Sequence, residues 1–183
     1  IMGIGQGYFL ATPLQLATAT ATLANRGRHI KPRVVRAVRG PETHGELRPT
    51  EPEIVQIPQR SIHHWTDIIQ SMIHVVEGAR GTARRIASQD YRIAGKTGTA
   101  QVFTVKQDEE YDEDKVAEKM RDHALFVAFA PVEEPRIAVA VIVENGGHGG
   151  SVAAPIAKQV MDRYLVGKSS VLSAKAPRLT TDH

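Results

Sequence analysis

The sequence has no cysteine. That removes disulfides, thiol nucleophiles and thiolate metal sites, and it is compatible with any compartment, oxidising ones included. It has no apolar run of the ~18 residues that a membrane span needs, and no recognisable signal peptide. It has no cluster of basic residues: 23 Lys+Arg are interspersed with 20 Asp+Glu, for a net charge of +3. A mixed surface of that kind does not point to nucleic acid. No internal repeat is visible. There is also no start methionine and no polar leader, so the 183 residues are expected to be a piece of a longer protein.

What is present is enough apolar material for a core, 42% of the chain, which argues against wholesale disorder. The stretch "ATPLQLATATATLANRG" predicts a helix. Thr12 suits the N-cap, Pro13 the first helical position and Gly27 a left-handed residue past its end. Its body is Ala, Leu and Thr on nearly every face, the pattern of a buried helix. Gly3, Gly5 and Gly7 before it read as a loop packed closely on its neighbours. "KPRVVRAVRG" suggests a strand ending at Gly40. Residues 41–60, rich in Pro, Glu and Thr, suggest a surface excursion with a short strand near Glu53–Ile57. Ser61 suits the cap of a second helix to about Glu77, with Trp65, Ile68, Ile69, Met72, Ile73 and Val76 at helical spacing. A helical turn follows at Ala83–Ala87.

Three apolar runs come next, near residues 91–103, 123–130 and 136–145. The last two are joined by "PVEEP" and read as a hairpin. Their continuous apolarity predicts a sheet covered on both faces. The charged insertion "DEEYDED" at Asp108–Asp114 reads as a solvated loop, with the acceptor side of a cleft as the alternative. Ser151 is expected to cap a last helix to Leu165, and a tail from Gly167 to fray. The fold class is therefore α+β, an antiparallel sheet with helices on it. The domain is expected over 1–166, with a mobile tail over 167–183.

The strand "RIAGKTGTAQVF" holds a lysine, two threonines and two glycines in an otherwise apolar run. Lys96-Thr97-Gly98, followed by Thr99, is the third motif of the serine acyltransferases that react with penicillin. Together with "GIGQGYFLATPLQLA" (Gly3–Ala17), "GTARRIA" (Gly81–Ala87), "RDHALFVAFAP" and "VAVIVENGG" (Arg121–Gly147), it makes the chain resemble the C-terminal part of the class B penicillin-binding proteins, the elongation-specific Gram-negative branch above all. The resemblance runs from about Gly3 to Leu165.

The resemblance implies a penicillin-binding transpeptidase fold, shared with serine β-lactamases, and peptidoglycan cross-linking by acyl transfer from D-Ala-D-Ala stem peptides. It implies inhibition by β-lactams and no cofactor. It implies a location at the periplasmic face of the inner membrane, held by an N-terminal anchor absent from this chain. Partners would be elongation-complex membrane proteins, a SEDS-family glycosyltransferase among them. Lys96 and Thr99 take catalytic roles: Lys96 in the polar network of the catalytic groups, Thr99 through a backbone N–H to the oxyanion. Thr97, Gly98 and Thr99 take substrate-binding roles, the two hydroxyls for the terminal carboxylate and Gly98 for room against the strand. Strand alternation puts Thr97 and Thr99 on one side and Lys96 on the other, so both sides serve one site only if this strand borders the cleft.

No serine here has a lysine three residues on, and none begins a Ser-x-Asn. The family places both motifs upstream of "GQG", so no nucleophile or general base is assigned, and the chain alone is expected to be inactive. Ser151 in "GGSVA" falls short of a nucleophile elbow and reads as a cap. His63, His64, His123 and His148 lack carboxylates at ligand spacing, so no metal site is assigned. Two other functions share these motifs: a penicillin-recognising sensor without turnover, and a serine β-lactamase, against which "ATPLQLA" and "VENGG" argue.

Overall fold

A computed structural model of the protein describes residues 10–41, 44–61, 63–102 and 121–167. The glycine loop before Thr12, the "DEEYDED" insertion and the tail beyond Gly167 lie outside the described residues.

Helix α1 spans Pro13–Ala24 and starts in a capping box: the Thr12 hydroxyl accepts from Gln15 N–H, and the Gln15 side chain accepts from Thr12 N–H. Its threonines are tolerated because each of Thr18, Thr20 and Thr22 donates its hydroxyl to the carbonyl four residues back. The helix ends at Ala24 with Asn25 as its C-cap; Arg26 and Gly27 beyond it both take positive φ, 53° and 92°, so Gly27 is the left-handed residue expected past the end. The expectation of an all-round buried helix is corrected. Thr20, Thr22 and Ala24 are buried, but Leu14 is 63% exposed. Only the C-terminal half meets the sheet.

Between Gly27 and Arg60 the chain makes two small antiparallel ladders. β1 (Arg28–Ile30) pairs with β4 (Ile54–Gln56), and β2 (Ala37–Val38) pairs with β3 (Arg48–Pro49). The strand expected up to Gly40 is reduced to two residues. Its Val34, Val35 and Val38 are exposed, so no buried face enforces a longer ladder.

Helix α2 (His63–Glu77) turns Ile69, Met72, Ile73 and Val76 inward, as the spacing predicts, while Ile68 stays exposed. A 3₁₀ turn follows at Arg84–Ile86. The main sheet has the order β5-β6-β7, formed by Ala94–Ala100, His123–Ala130 and Ile137–Val143. Both pairs are antiparallel, with Lys96 opposite Val127, Thr97 opposite Phe126 and Gly98 opposite Leu125. β5 is shorter than the apolar run around it and is an edge strand among the described residues.

Helix α3 spans Ala153–Leu165, with Pro155 in its first turn. Ser151 does not cap it, contrary to expectation. The N-cap is Val152, without a side-chain bond, and the Ser151 hydroxyl donates to His148 O.

Alternation along the strands divides the core into two layers. On one face Phe126, Ala124 and Ala128 pack with Ile93, Ile86 and the Ala153, Ala154, Ala157 and Met161 face of α3. On the other, Phe129 and Ala94 pack with Ile69, Met72 and Ile73 of α2 and Ala24 of α1. The layers are tied at one end by Arg92. It donates in a bidentate pair to Glu77, the last residue of α2, and once to Glu133 in the β6–β7 connection. A second tie runs through Tyr91, whose hydroxyl donates to Asp162 of α3 at 2.7 Å while Lys158 pairs with the same carboxylate. Burial, with that carboxylate beside it, pushes the Tyr91 hydroxyl pKa up.

Candidate active site

The Lys96–Thr99 segment lies on a strand at the edge of the main sheet among the described residues. Thr97 and Thr99 turn to the α3 face. There they line a pocket of about 390 Å³ with Thr82, Arg85, His148, Gly149, Gly150 and Ser151. None of the described residues lining it is acidic, and Arg85 brings a positive charge. Thr82 Oγ1 and Thr97 Oγ1 are 3.0 Å apart. The Arg85 guanidinium reaches the Ser151 carbonyl at 3.5 Å.

Lys96 turns to the α1/α2 face and borders a different, mostly apolar trough of about 610 Å³, walled by Leu16, Ala19, Ile68, Met72 and Val75. Its ammonium donates to Thr97 O at 2.7 Å. The strand thus brings Lys96 and the two threonines within one edge, but their side chains occupy separate concavities.

Gly98 has a neighbour on each side. A methyl there would sit 3.2 Å from Leu125 Cβ, and a methyl on Gly149 would sit 2.5 Å from Gly98 O and inside contact of Leu125 O. The 145–151 loop therefore lies flat on the β5–β6 ladder, and only a glycine at 149 allows that approach. The loop is pinned at its start: Asn145 N–H donates to His123 Nδ1, the Asn145 amide donates to Arg121 O, and Gly147 N–H donates to Asp122 O. Nδ1 as acceptor places the His123 proton on Nε2.

The histidines are dispersed. His63 and His64 open α2 far in sequence from the sheet, His123 serves the loop, and His148 lines the threonine pocket. Thr82, Arg85 and the 148–151 backbone had been given no role from sequence. "GTARRIA" helps carry the family resemblance as a segment, and "GGHGG" stands out only as a glycine-rich loop; neither marks a single residue for the site. Nothing in a linear reading places a hydroxyl 14 positions before Lys96 against Thr97.

The penicillin binding protein transpeptidase domain family matches residues 1–162, and the chain belongs to it. Within that family it resembles penicillin-binding protein 2. It is 47% identical to the peptidoglycan D,D-transpeptidase MrdA of Acinetobacter baumannii over 171 residues, 90% of this chain and 24% of that protein. The crystal structure of Pseudomonas aeruginosa PBP2 in complex with WCK 5153 superposes with a TM-score of 0.73 at 45% identity, covering 97% of this chain and 36% of that one. A Helicobacter pylori PBP2 in complex with MreC gives a TM-score of 0.68 at 26% identity, covering 91% of this chain and 27% of that one. The chain spans about a quarter of the length of the curated relatives it matches.

Proposed function

We propose that this chain is the C-terminal portion of a peptidoglycan D,D-transpeptidase and supplies the Lys-Thr-Gly strand of its active site. The observation that carries the reading is the edge position of β5, with two threonine hydroxyls and one guanidinium around a pocket that has no acidic described residue. A stem peptide ending in D-Ala-D-Ala brings a carboxylate to such a pocket.

In the reaction, a serine outside these residues attacks the D-Ala-D-Ala carbonyl. The serine–acyl bond forms, the amide C–N bond breaks, and the proton leaves with the D-Ala amine. An amine of a neighbouring stem peptide then displaces the serine, which regains its proton. In this chain Thr97 and Thr99 hold the carboxylate through their hydroxyls, and Lys96 raises the positive potential around the catalytic groups. An edge strand turns alternate N–H groups to its open side, which suits Thr99 N–H for the developing oxyanion. Gly98 keeps the strand free of a side chain between these groups. β-Lactams, which carry a carboxylate beside a reactive amide, enter the same site.

The full-length protein acts at the periplasmic face of the bacterial inner membrane in cell elongation, with membrane proteins of that machinery as partners. The relative solved with MreC supports a protein partner of this kind.

The test is made on the full-length protein. It should be labelled covalently by a fluorescent penicillin and should release D-Ala while joining two stem peptides. Labelling without D-Ala release would favour a sensor, and rapid hydrolysis of the penicillin would favour a β-lactamase. The 183-residue chain should take up no label.

A further inference from the structure

We propose that Thr82 is a positioning residue for the substrate carboxylate: its hydroxyl donates to Thr97 Oγ1 and thereby turns the Thr97 proton toward the pocket. The inference rests on the transpeptidase reading above and adds to it a residue outside the Lys-Thr-Gly strand.

A threonine hydroxyl has one proton and two lone pairs. Left alone, the Thr97 proton can rotate onto any nearby acceptor. Thr82 Oγ1 stands 3.0 Å from Thr97 Oγ1. If Thr82 donates, one Thr97 lone pair is occupied and the Thr97 proton must point elsewhere, into the pocket that both residues line. A hydroxyl that already accepts a hydrogen bond is also polarised into a better donor. A carboxylate can only accept, so it selects this direction.

The geometry is held from behind. Ala83 N–H donates to Val75 O near the end of α2, and Ala83 is fully buried. A methyl on Gly81 would be 2.8 Å from His74 O, and one on Gly150 would strike Thr82 O itself. Thr82 is therefore clamped between α2 and the 145–151 loop, and its hydroxyl has a fixed origin from which to reach Thr97. Arg85, one helical turn on, reaches the Ser151 carbonyl across the same pocket and adds charge without competing for the Thr97 oxygen.

A bond of this kind could instead only fasten the 81–87 turn to β5. The two roles separate in the full-length protein with benzylpenicillin and its methyl ester, which lacks the charged carboxylate. Thr82→Val should slow acylation by benzylpenicillin roughly three- to tenfold, the effect of one neutral hydrogen bond, and leave acylation by the ester unchanged. Thr82→Ser should restore most of the rate. In a Thr97→Val background, Thr82→Val should add nothing, because the hydroxyl it orients is gone. Thr82→Ala provides a second hydroxyl deletion, and thermal midpoints of all variants report on folding. Equal slowing with the acid and the ester, or additive losses in the double variant, would overturn the proposal and leave Thr82 a structural fastener. If Lys96→Ala and Thr97→Val also acylate normally, the transpeptidase reading itself fails.

Discussion

The two faces of β5 are one residue apart in sequence and differ in nearly every physical respect. The threonine face is bordered by two glycine-bearing segments and lined by Thr82, Arg85, Thr97, Thr99 and the 148–151 loop. The lysine face opens on a trough whose walls are mostly Leu, Ile, Met and Val. The first presents two threonine hydroxyls and the Arg85 guanidinium. On the second, Lys96 donates to its own strand's carbonyl, and Asp67 and Ser71 of α2 are the polar side chains that share the largely apolar trough with it, beside Thr20 of α1. A strand lets one short motif address two environments because successive side chains point to opposite faces.

The largest effect expected from breaking this division is at Lys96. Lys96→Ala in the full-length protein should lower the second-order acylation rate by roughly 10²–10³, the range for removing one stabilising group in such a site. A fluorescent penicillin measures it, and an unchanged rate would detach the lysine face from the chemistry. The threonine face should respond less. Thr97→Val removes a hydrogen bond to a charged group, worth roughly 1.5–3 kcal/mol, while Thr97→Ser should cost little. Thr99→Val should weaken carboxylate binding and spare its backbone N–H. If Thr97→Ser is as slow as Thr97→Val, the hydroxyl is not what the pocket uses.

Gly149→Ala sharpens the comparison by loosening one face alone. Its methyl would meet Gly98 O at 2.5 Å, so the loop must lift, at an overpacking cost of about 1–3 kcal/mol. Thermal unfolding reads that cost. The apolar groove between α1 and the β1–β4 ladder should be unaffected.

The smallest effect concerns Arg92, which ties the two layers from the far end of the strand. The bidentate guanidinium bond holds the Glu77 carboxyl below its ordinary value near 4.5. A lowered folded pKa contributes stability that is present above the ordinary value and is lost as pH falls through the lowered one. Both side chains are substantially exposed, so solvent screens the pair to a few tenths of a kcal/mol up to about 1 kcal/mol. Glu77→Gln should remove that part of the acid dependence of the thermal midpoint below pH 4.5.

The hairpin β6–β7, the inward face of α2 and the start of α1 were legible because each rests on local rules: apolar runs, a period of 3.6, a capping box. The Lys-Thr-Gly strand was legible as a motif, and alternation alone separated Lys96 from the threonines. The left-handed Gly27 past the end of α1 was legible as well; the left-handed Arg26 before it was not, because only tertiary context makes that conformation acceptable for a non-glycine residue. Ser151 was misread because a serine before a helix can either accept from an N–H of the first turn or donate to a carbonyl behind it, and here its hydroxyl donates to the His148 carbonyl. Thr82 was invisible for a more general reason. Its importance depends on a contact across 15 residues, and no periodicity encodes which hydroxyl a turn will deliver to which strand.

Trp65 is the chain's single tryptophan. It lines the apolar groove of about 600 Å³ beside α1, its ring stands next to Gly27, and its indole N–H is buried without a hydrogen-bond partner. Indole emission shifts to longer wavelength when the surrounding dipoles become free to relax. The chain thus contains one indole fluorophore, on the α1/α2 side and not among the residues that line the threonine pocket. Whatever comes to cover α1 should alter its emission maximum and its accessibility to a neutral quencher, while a carboxylate bound at Thr97 should leave both as they are. A single optical channel therefore reports on assembly of the domain and stays silent on occupancy of the carboxylate pocket.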